Sequence, residues 1–165
     1  MTTVASILDA KAIRHIVTVA PSATVAQAAQ TMAHESVGAI VVEGADGAIV
    51  GIFTERDLLK RVVAAARDPK TTTIGDVMTA QVRRIESTVT VADAVALMVV
   101  HGHRHVLVQD GETVRGLISI RDLMSALVAP DRPIAAEGRV GVIRARAQET
   151  IRTVQDLAAN PRSTH

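Results

Sequence analysis

Gly51-Ile52-Phe53-Thr54-Glu55-Arg56-Asp57-Leu58 and Gly116-Leu117-Ile118-Ser119-Ile120-Arg121-Asp122-Leu123 are one eight-residue phrase written twice. Gly, Arg, Asp and Leu are identical between the two, and Thr is exchanged only for Ser. Upstream, Thr24-Val25-Ala26-Gln27-Ala28 matches Thr90-Val91-Ala92-Asp93-Ala94, and Met32 falls on Met98. The offset is 66 residues there and 65 at the phrase, so one residue is lost in between. A period of this kind means that one structural unit was used twice.

Each copy predicts the same elements. A short strand (16–19, or 82–86) leads to a helix whose apolar positions recur at three and four residues: Val25, Ala28, Ala29 and Met32, or Val91, Val95 and Met98. Ser22, and Ser87 or Thr88, are the expected N-caps. An apolar run follows, Ala39-Ile40-Val41-Val42 or Val106-Leu107-Val108, then a turn on Gly44-Ala45-Asp46-Gly47 or Asp110-Gly111. A second run, Ile49 to Phe53 or Val114 to Ile118, completes a hairpin. A second helix spans 55–66 or 120–129, with Pro69 and Pro130 just beyond the two ends. The fold class is α+β: two pseudo-symmetric β-α-β-β-α repeats, 4–67 and 74–129, joined by a polar linker, 68–73. Units this small leave apolar sheet surface uncovered, so the two should pack as one body. Residues 131–165 depart from the repeat. Asp131-Arg132-Pro133 reads as a turn, and Arg139 to Ala159 as an amphipathic helix that caps the body or pairs with a second chain.

Composition narrows the function. The 165 residues are 48% hydrophobic and 21% charged, enough to bury a core. Eighteen Lys and Arg against 17 Asp and Glu argue against binding driven by neutralising a nucleic-acid backbone. With Phe53 the one aromatic residue, stacking platforms for bases are nearly unavailable. The absence of cysteine removes thiolate catalysis, disulfides and cysteine-ligated metal. The first residues lack a basic stretch followed by about 7–15 apolar residues, and no membrane-length apolar run occurs, so a cytoplasmic protein with no membrane partner is expected.

The doubled Gly-apolar-apolar-(Ser/Thr)-x-x-Asp resembles the motif of the cystathionine β-synthase (CBS) domain pair, or Bateman module, in its small stand-alone bacterial form, and the resemblance covers residues 4–129. It implies two CBS repeats packed as one body and a regulatory module that binds an adenosyl nucleotide: AMP, ADP, ATP, NAD(H) or S-adenosylmethionine. It also implies a disc-like homodimer and an unidentified regulated protein as partners. No cofactor is obligatory. In the family, the Ser/Thr and Asp of one repeat meet the adenine-lining strand and pre-hairpin loop of the other. That carries over as a first site of Thr54, Arg56 and Asp57 with Val82, Arg83, His103 and Arg104. The second site is Ser119, Arg121 and Asp122 with His15, Ile16, Val37, Gly38 and Ala39. His103-Arg104 matches a phosphate-binding His-Arg pair of the family, whereas the first repeat has Val37-Gly38 there, so the first site should prefer the more anionic ligand. The chain departs from the family at Ile40 and Val106, where proline is common, which leaves the loop backbone less defined.

Read from the residues alone, Ser/Thr with Asp three positions on is also a capping box, the hydroxyl accepting from the N3 amide and the carboxylate reaching back. The same helix end suits a phosphate, and its carboxylate suits a ribose diol. A structural dimerisation module without ligand is therefore a second reading. A third is a nucleotide-processing or NADH-using enzyme, for which no catalytic residues are found: there is no cysteine and no phosphate loop. His101, His103 and His105, at alternate positions of an extended segment, would share a face and suggest a metal. No acidic residue lies beside them, and packed or solvated histidines at the pocket rim, titrating near neutrality, are the plainer account. Arg139, Arg144, Arg146 and Arg152 are interrupted by Glu137, Glu149 and Asp156 and read as a solvated helix face.

Overall fold

The computed structural model describes residues 2–11 and 15–128. The expected C-terminal turn and amphipathic helix, 131–165, lie outside them. In chain order the elements are α1 (Val4–Asp9), β1 (Thr18–Val19), α2 (Val25–His34), β2 (Ala39–Glu43), β3 (Ile49–Thr54) and α3 (Glu55–Asp57), which runs on as a π-helical stretch, Leu58–Val63. Then come α4 (Ile74–Val77), β4 (Arg84–Glu86), α5 (Val91–His101), β5 (His105–Asp110), β6 (Thr113–Ser119) and α6 (Ile120–Val128).

The two copies form two three-stranded sheets of the same topology, β1-β2-β3 and β4-β5-β6. In each, a short first strand pairs parallel to the second, and the second and third make an antiparallel hairpin. Both hairpins carry an irregularity at the same place, Val42/Glu43 and Val108/Gln109, as expected of one unit used twice. The middle strands are buried through their central residues, Ile40–Val42 in one and Val106–Leu107–Val108 in the other. That is why they read as continuous apolar runs, with no alternation.

The helix starts differ from expectation. Thr24 caps α2, its hydroxyl accepting from the Gln27 amide while the Gln27 side chain reaches back to the Thr24 N–H. Thr90 caps α5 by accepting from the Asp93 amide. Neither Ser22 nor Thr88 takes that role. Ser87 is buried, and its hydroxyl bonds Asp110. The reciprocal bonding of a residue three positions on, Gln27, decides the position of the first cap. The strands β1 and β4 are also shorter than predicted. Both long helices end in one motif: His103 N–H bonds Met98 O around Gly102, and Val37 N–H bonds Met32 O around Ser36. Gly102 and Ser36 each adopt positive φ, 66° and 54°. The second helix of the first copy stops at Val63, short of the predicted 66, and Ala66 has φ 52°.

The cores cross over in the sequence. One cluster joins β4–β6, α5 and α6 with Val4, Ile7 and Leu8 of α1. The other joins β2, β3, α2 and Val62 with Ile74 and Val77 of α4. Segment 4–9, which precedes the first copy in the chain, thus closes the second core, and 74–77 closes the first. Equivalent backbone bonds hold both: Val4 N–H to Val89 O and Ala5 N–H to Ser87 O; Ile74 N–H to Ala23 O and Gly75 N–H to Pro21 O. The motif glycines receive these helices. A Cβ at Gly116 would stand 2.8 Å from Leu8 Cδ1, and one at Gly51 would stand 2.5 Å from Met78 Sδ and 3.1 Å from the Thr79 carbonyl oxygen.

Gly51→Ala should therefore lower the unfolding free energy by about 1–3 kcal/mol, or a melting temperature by about 3–10 °C. Gly116→Ala should cost less, because only the tip of the Leu8 side chain has to move. Thermal unfolding followed by circular dichroism checks both the losses and their order.

Candidate functional site

Both motif aspartates close helix N-termini. Asp57 Oδ2 accepts from the Thr54 N–H (3.0 Å) and hydroxyl (2.8 Å), and the Asp57 N–H donates to Thr54 Oγ1 (3.2 Å). Asp122 and Ser119 repeat the arrangement with distances of 3.0, 2.8 and 3.2 Å. The capping box is thus real in both copies, and it occupies one carboxylate oxygen of each.

The surroundings of the other oxygen differ. Asp57 Oδ1 accepts from the Thr79 hydroxyl at 3.4 Å and lies 3.6 Å from Arg61 Nη1. That arginine also donates to Val77 O and Met78 O at the end of α4. Asp122 Oδ1 accepts no hydrogen bond among the described residues. Instead the Lys11 ammonium lies 3.1 Å from Asp122 Oδ2 and donates to Leu117 O at 2.9 Å. Burial by itself would raise the Asp122 pKa, but Lys11 and the Ser119 donors outweigh it and hold the carboxyl below its usual range.

Asp122 faces a cleft of about 630 Å³ between the two repeats. All eight residues of the expected second site line it: Ser119, Arg121 and Asp122 from one repeat, and His15, Ile16, Val37, Gly38 and Ala39 from the other. So do Lys11, Glu55, Arg104, His105 and Leu117, which the sequence reading did not place there. Glu55 and Arg104 come from pseudo-equivalent corners. Glu55 N–H bonds Gly38 O, Ile120 N–H bonds Arg104 O, and the Glu55 carboxylate lies over Gly38, 3.2 Å from where a Cβ would be.

The expected first site assembles only in part. Arg56 donates to Gly102 O at 3.0 Å, linking the first motif to the second pre-hairpin loop, and Arg83, His101 and Arg56 all lie close enough to act on His103. Arg104 lies instead in the cleft with Asp122. Thr54 and Asp57 bond each other, Asp57 also accepts from Thr79, and among the described residues neither Thr54 nor Asp57 bonds Val82 or Arg83. Burial first, then Arg83, His101 and Arg56, lower the His103 pKa, which corrects the expectation of a group titrating near neutrality. Its Nδ1 is buried without a hydrogen-bond partner.

The histidine triplet does not stay together: the His101 and His103 rings lie edge to face with centroids 6.1 Å apart, while His105 lines the cleft. His101 ends α5, Gly102 turns the chain left-handed, and His105 begins β5. Among the described residues no group of three or more His, Cys, Asp or Glu could hold a metal. None of their helices is long and apolar enough to cross a membrane. His105, register partner of Ser119, is pushed down to about 4 by burial above all and then by Arg104, with Asp122 pulling the other way.

These features are those of a known family. The CBS domain model matches residues 4–64 and 74–129, and the chain belongs to the CBS-domain family. A CBS-domain protein of solved structure from Burkholderia ambifaria is 41% identical, with TM-score 0.75 over 79% of this chain and 97% of that one. A CBS domain protein from Pyrobaculum aerophilum, solved in complex with AMP, is 28% identical, with TM-score 0.63 over 73% of this chain and 88% of that one. The mitochondrial CBS domain-containing protein CBSX3 of Arabidopsis thaliana is 36% identical over 113 residues, 66% of this chain. The match spans 55% of that relative's length.

The His105 environment has a consequence for stability. Between its ordinary value of 6.5 and about 4, the unfolded chain takes up a proton that the folded protein refuses. The stability from the neutral ring is therefore complete above pH 6.5 and falls as pH drops towards 4, by up to about 3 kcal/mol. Urea unfolding at pH 7.0 and 4.5 should show this loss, and His105→Gln should reduce the difference between the two.

Proposed function

We propose that this chain is a regulatory module that binds an adenosyl nucleotide in the cleft between its repeats and makes or breaks no bond. The observation that carries the reading is that one cleft collects the Ser119/Asp122 motif of one repeat and the strand and loop residues His15, Ile16 and Val37–Ala39 of the other. An AMP complex of a relative with the same fold supports it. In this reading Ile16, Val37 and Ala39 flank adenine, Asp122 accepts from the ribose hydroxyls, and Arg104 and Arg121 neutralise phosphate. Leaving the histidines aside, the described lining of the cleft holds three cations, Lys11, Arg104 and Arg121, against two anions, Glu55 and Asp122. That small positive excess fits a monophosphate better than a triphosphate. The cluster of Arg56, Arg83 and His103 beside the first motif is the corresponding place for a second, more anionic ligand.

The reading includes a homodimer in the cytoplasm whose contacts transmit occupancy to a regulated partner. Leu59 (61% exposed) and Val63 (65%) follow the first motif, and Met124 (44%) stands where Leu59 does in the second copy. A second copy covering both positions would remove an apolar face that a monomer leaves in water.

Thermal unfolding of nucleotide-free protein with AMP, ATP, NAD, NADH and S-adenosylmethionine tests the proposal. A ligand at about 100 times its dissociation constant adds about 2.7 kcal/mol, or about 5–10 °C. AMP is expected to give a shift of that order, and Asp122→Ala to abolish it. No shift with any of the five would leave the motif as two helix caps and favour a ligand-free dimerisation module.

A further inference from the structure

The cleft contains one polar pair that the repeat does not account for. Lys11 and Asp122 lie 3.1 Å apart, with side chains 18% and 6% exposed, and both line the cleft. An ammonium has three donors. Leu117 O takes one and Asp122 Oδ2 another, which leaves a third. On the carboxylate, Oδ2 receives the Ser119 N–H, the Ser119 hydroxyl and Lys11, while Oδ1 accepts no hydrogen bond among the described residues. The pair thus presents a donor and an acceptor side by side. The first motif differs: the Thr79 hydroxyl already donates to Asp57 Oδ1, and Arg61 Nη1 lies 3.6 Å from the same oxygen.

A sugar hydroxyl is both donor and acceptor, the complement of this pair. Resting on the reading of the cleft as a nucleotide site, we propose that Lys11 is a specificity residue: it donates to the same ribose hydroxyl that donates to Asp122 Oδ1, so that the cleft selects ribonucleotides over their deoxy analogues. Replacing that hydroxyl by hydrogen strands an ammonium proton and a carboxylate oxygen together in a site the ligand has closed to water. Sites that lose such partners discriminate by about 10–100-fold or more.

The test is isothermal titration of the full chain with AMP, 2′-deoxy-AMP and 3′-deoxy-AMP, on wild type, Lys11→Met and Asp122→Asn. Wild type is expected to bind AMP about 10–100-fold more tightly than at least one deoxy analogue. Lys11→Met should weaken AMP until that preference is below about threefold, with the affinity of the disfavoured analogue little changed. Because Lys11→Met leaves a buried carboxylate without its cation, Lys11→Gln carries the comparison if the first variant does not fold, and its shorter, uncharged donor is expected to reduce the preference rather than abolish it. Equal binding of the three ligands by wild type, or a parallel loss of all three in the Lys11 variants, would overturn the role of Lys11 and leave the nucleotide site standing. If wild type shows no AMP binding that Asp122→Asn removes, the site itself fails and the assignment goes with it.

Discussion

Leu8 lies against the backbone of Gly116, and Met78 against the backbone of Gly51, and the arrangement of the molecule follows from these two contacts. Each sheet needs a short helix over its last strand, and only a residue without a side chain lets that helix come so close. The helix that closes the second sheet is at the start of the chain, so the chain has to pass from the second unit to the first before β1 can form. On that passage it supplies Lys11, His15 and Ile16 to the space between the repeats. The cleft is thus a product of the crossover as well as of the motif, and neither unit taken alone contains its lining.

Helix capping and ligand binding have been set against each other as explanations of the Ser/Thr-x-x-Asp phrase, but the geometry divides them between atoms. One oxygen of each aspartate closes the helix end and holds the carboxylate rigid. The other is available for a different use, and here the copies part. Thr79 donates to the second oxygen of Asp57 and Arg61 stands beside it, whereas that of Asp122 accepts no hydrogen bond among the described residues and Asp122 lines a cleft with Lys11, Arg104 and Arg121. Two units of one ancestry therefore present two electrostatic environments, and the second is the better formed.

Much of this was legible in the sequence. The doubled phrase marked both strand-to-helix junctions, the apolar runs marked the buried middle strands, and the family resemblance brought together the eight residues that now share one cleft. What escaped did so for identifiable reasons. The caps moved from Ser22 and Ser87 or Thr88 to Thr24 and Thr90 because Gln27 and Asp93 stand three positions on from the threonines, a local pairing that a single-residue preference does not register. Lys11 escaped because it lies outside the repeated phrase and reaches the second unit only through the crossover. Arg104 falls in the first site if it is grouped with its neighbour His103, but these consecutive residues enter different environments, Arg104 the cleft and His103 the neighbourhood of Arg83 and Arg56. The histidine triplet misled because its period assumed extended chain, where Gly102 ends a helix.

The central claim is that the cleft lined by Ser119, Asp122 and Val37–Ala39 is where AMP binds. Titration of isotope-labelled protein with AMP, followed by amide proton–nitrogen correlation spectra, tests it most directly. The account requires the amides of Ser119, Asp122, Gly38 and Ala39 to move together and saturate at one dissociation constant, while those of Gly47 and Gly111, in the hairpin turns outside the cleft, stay in place. Spectra that do not change, or shifts at the hairpin turns with none at the cleft, would contradict it.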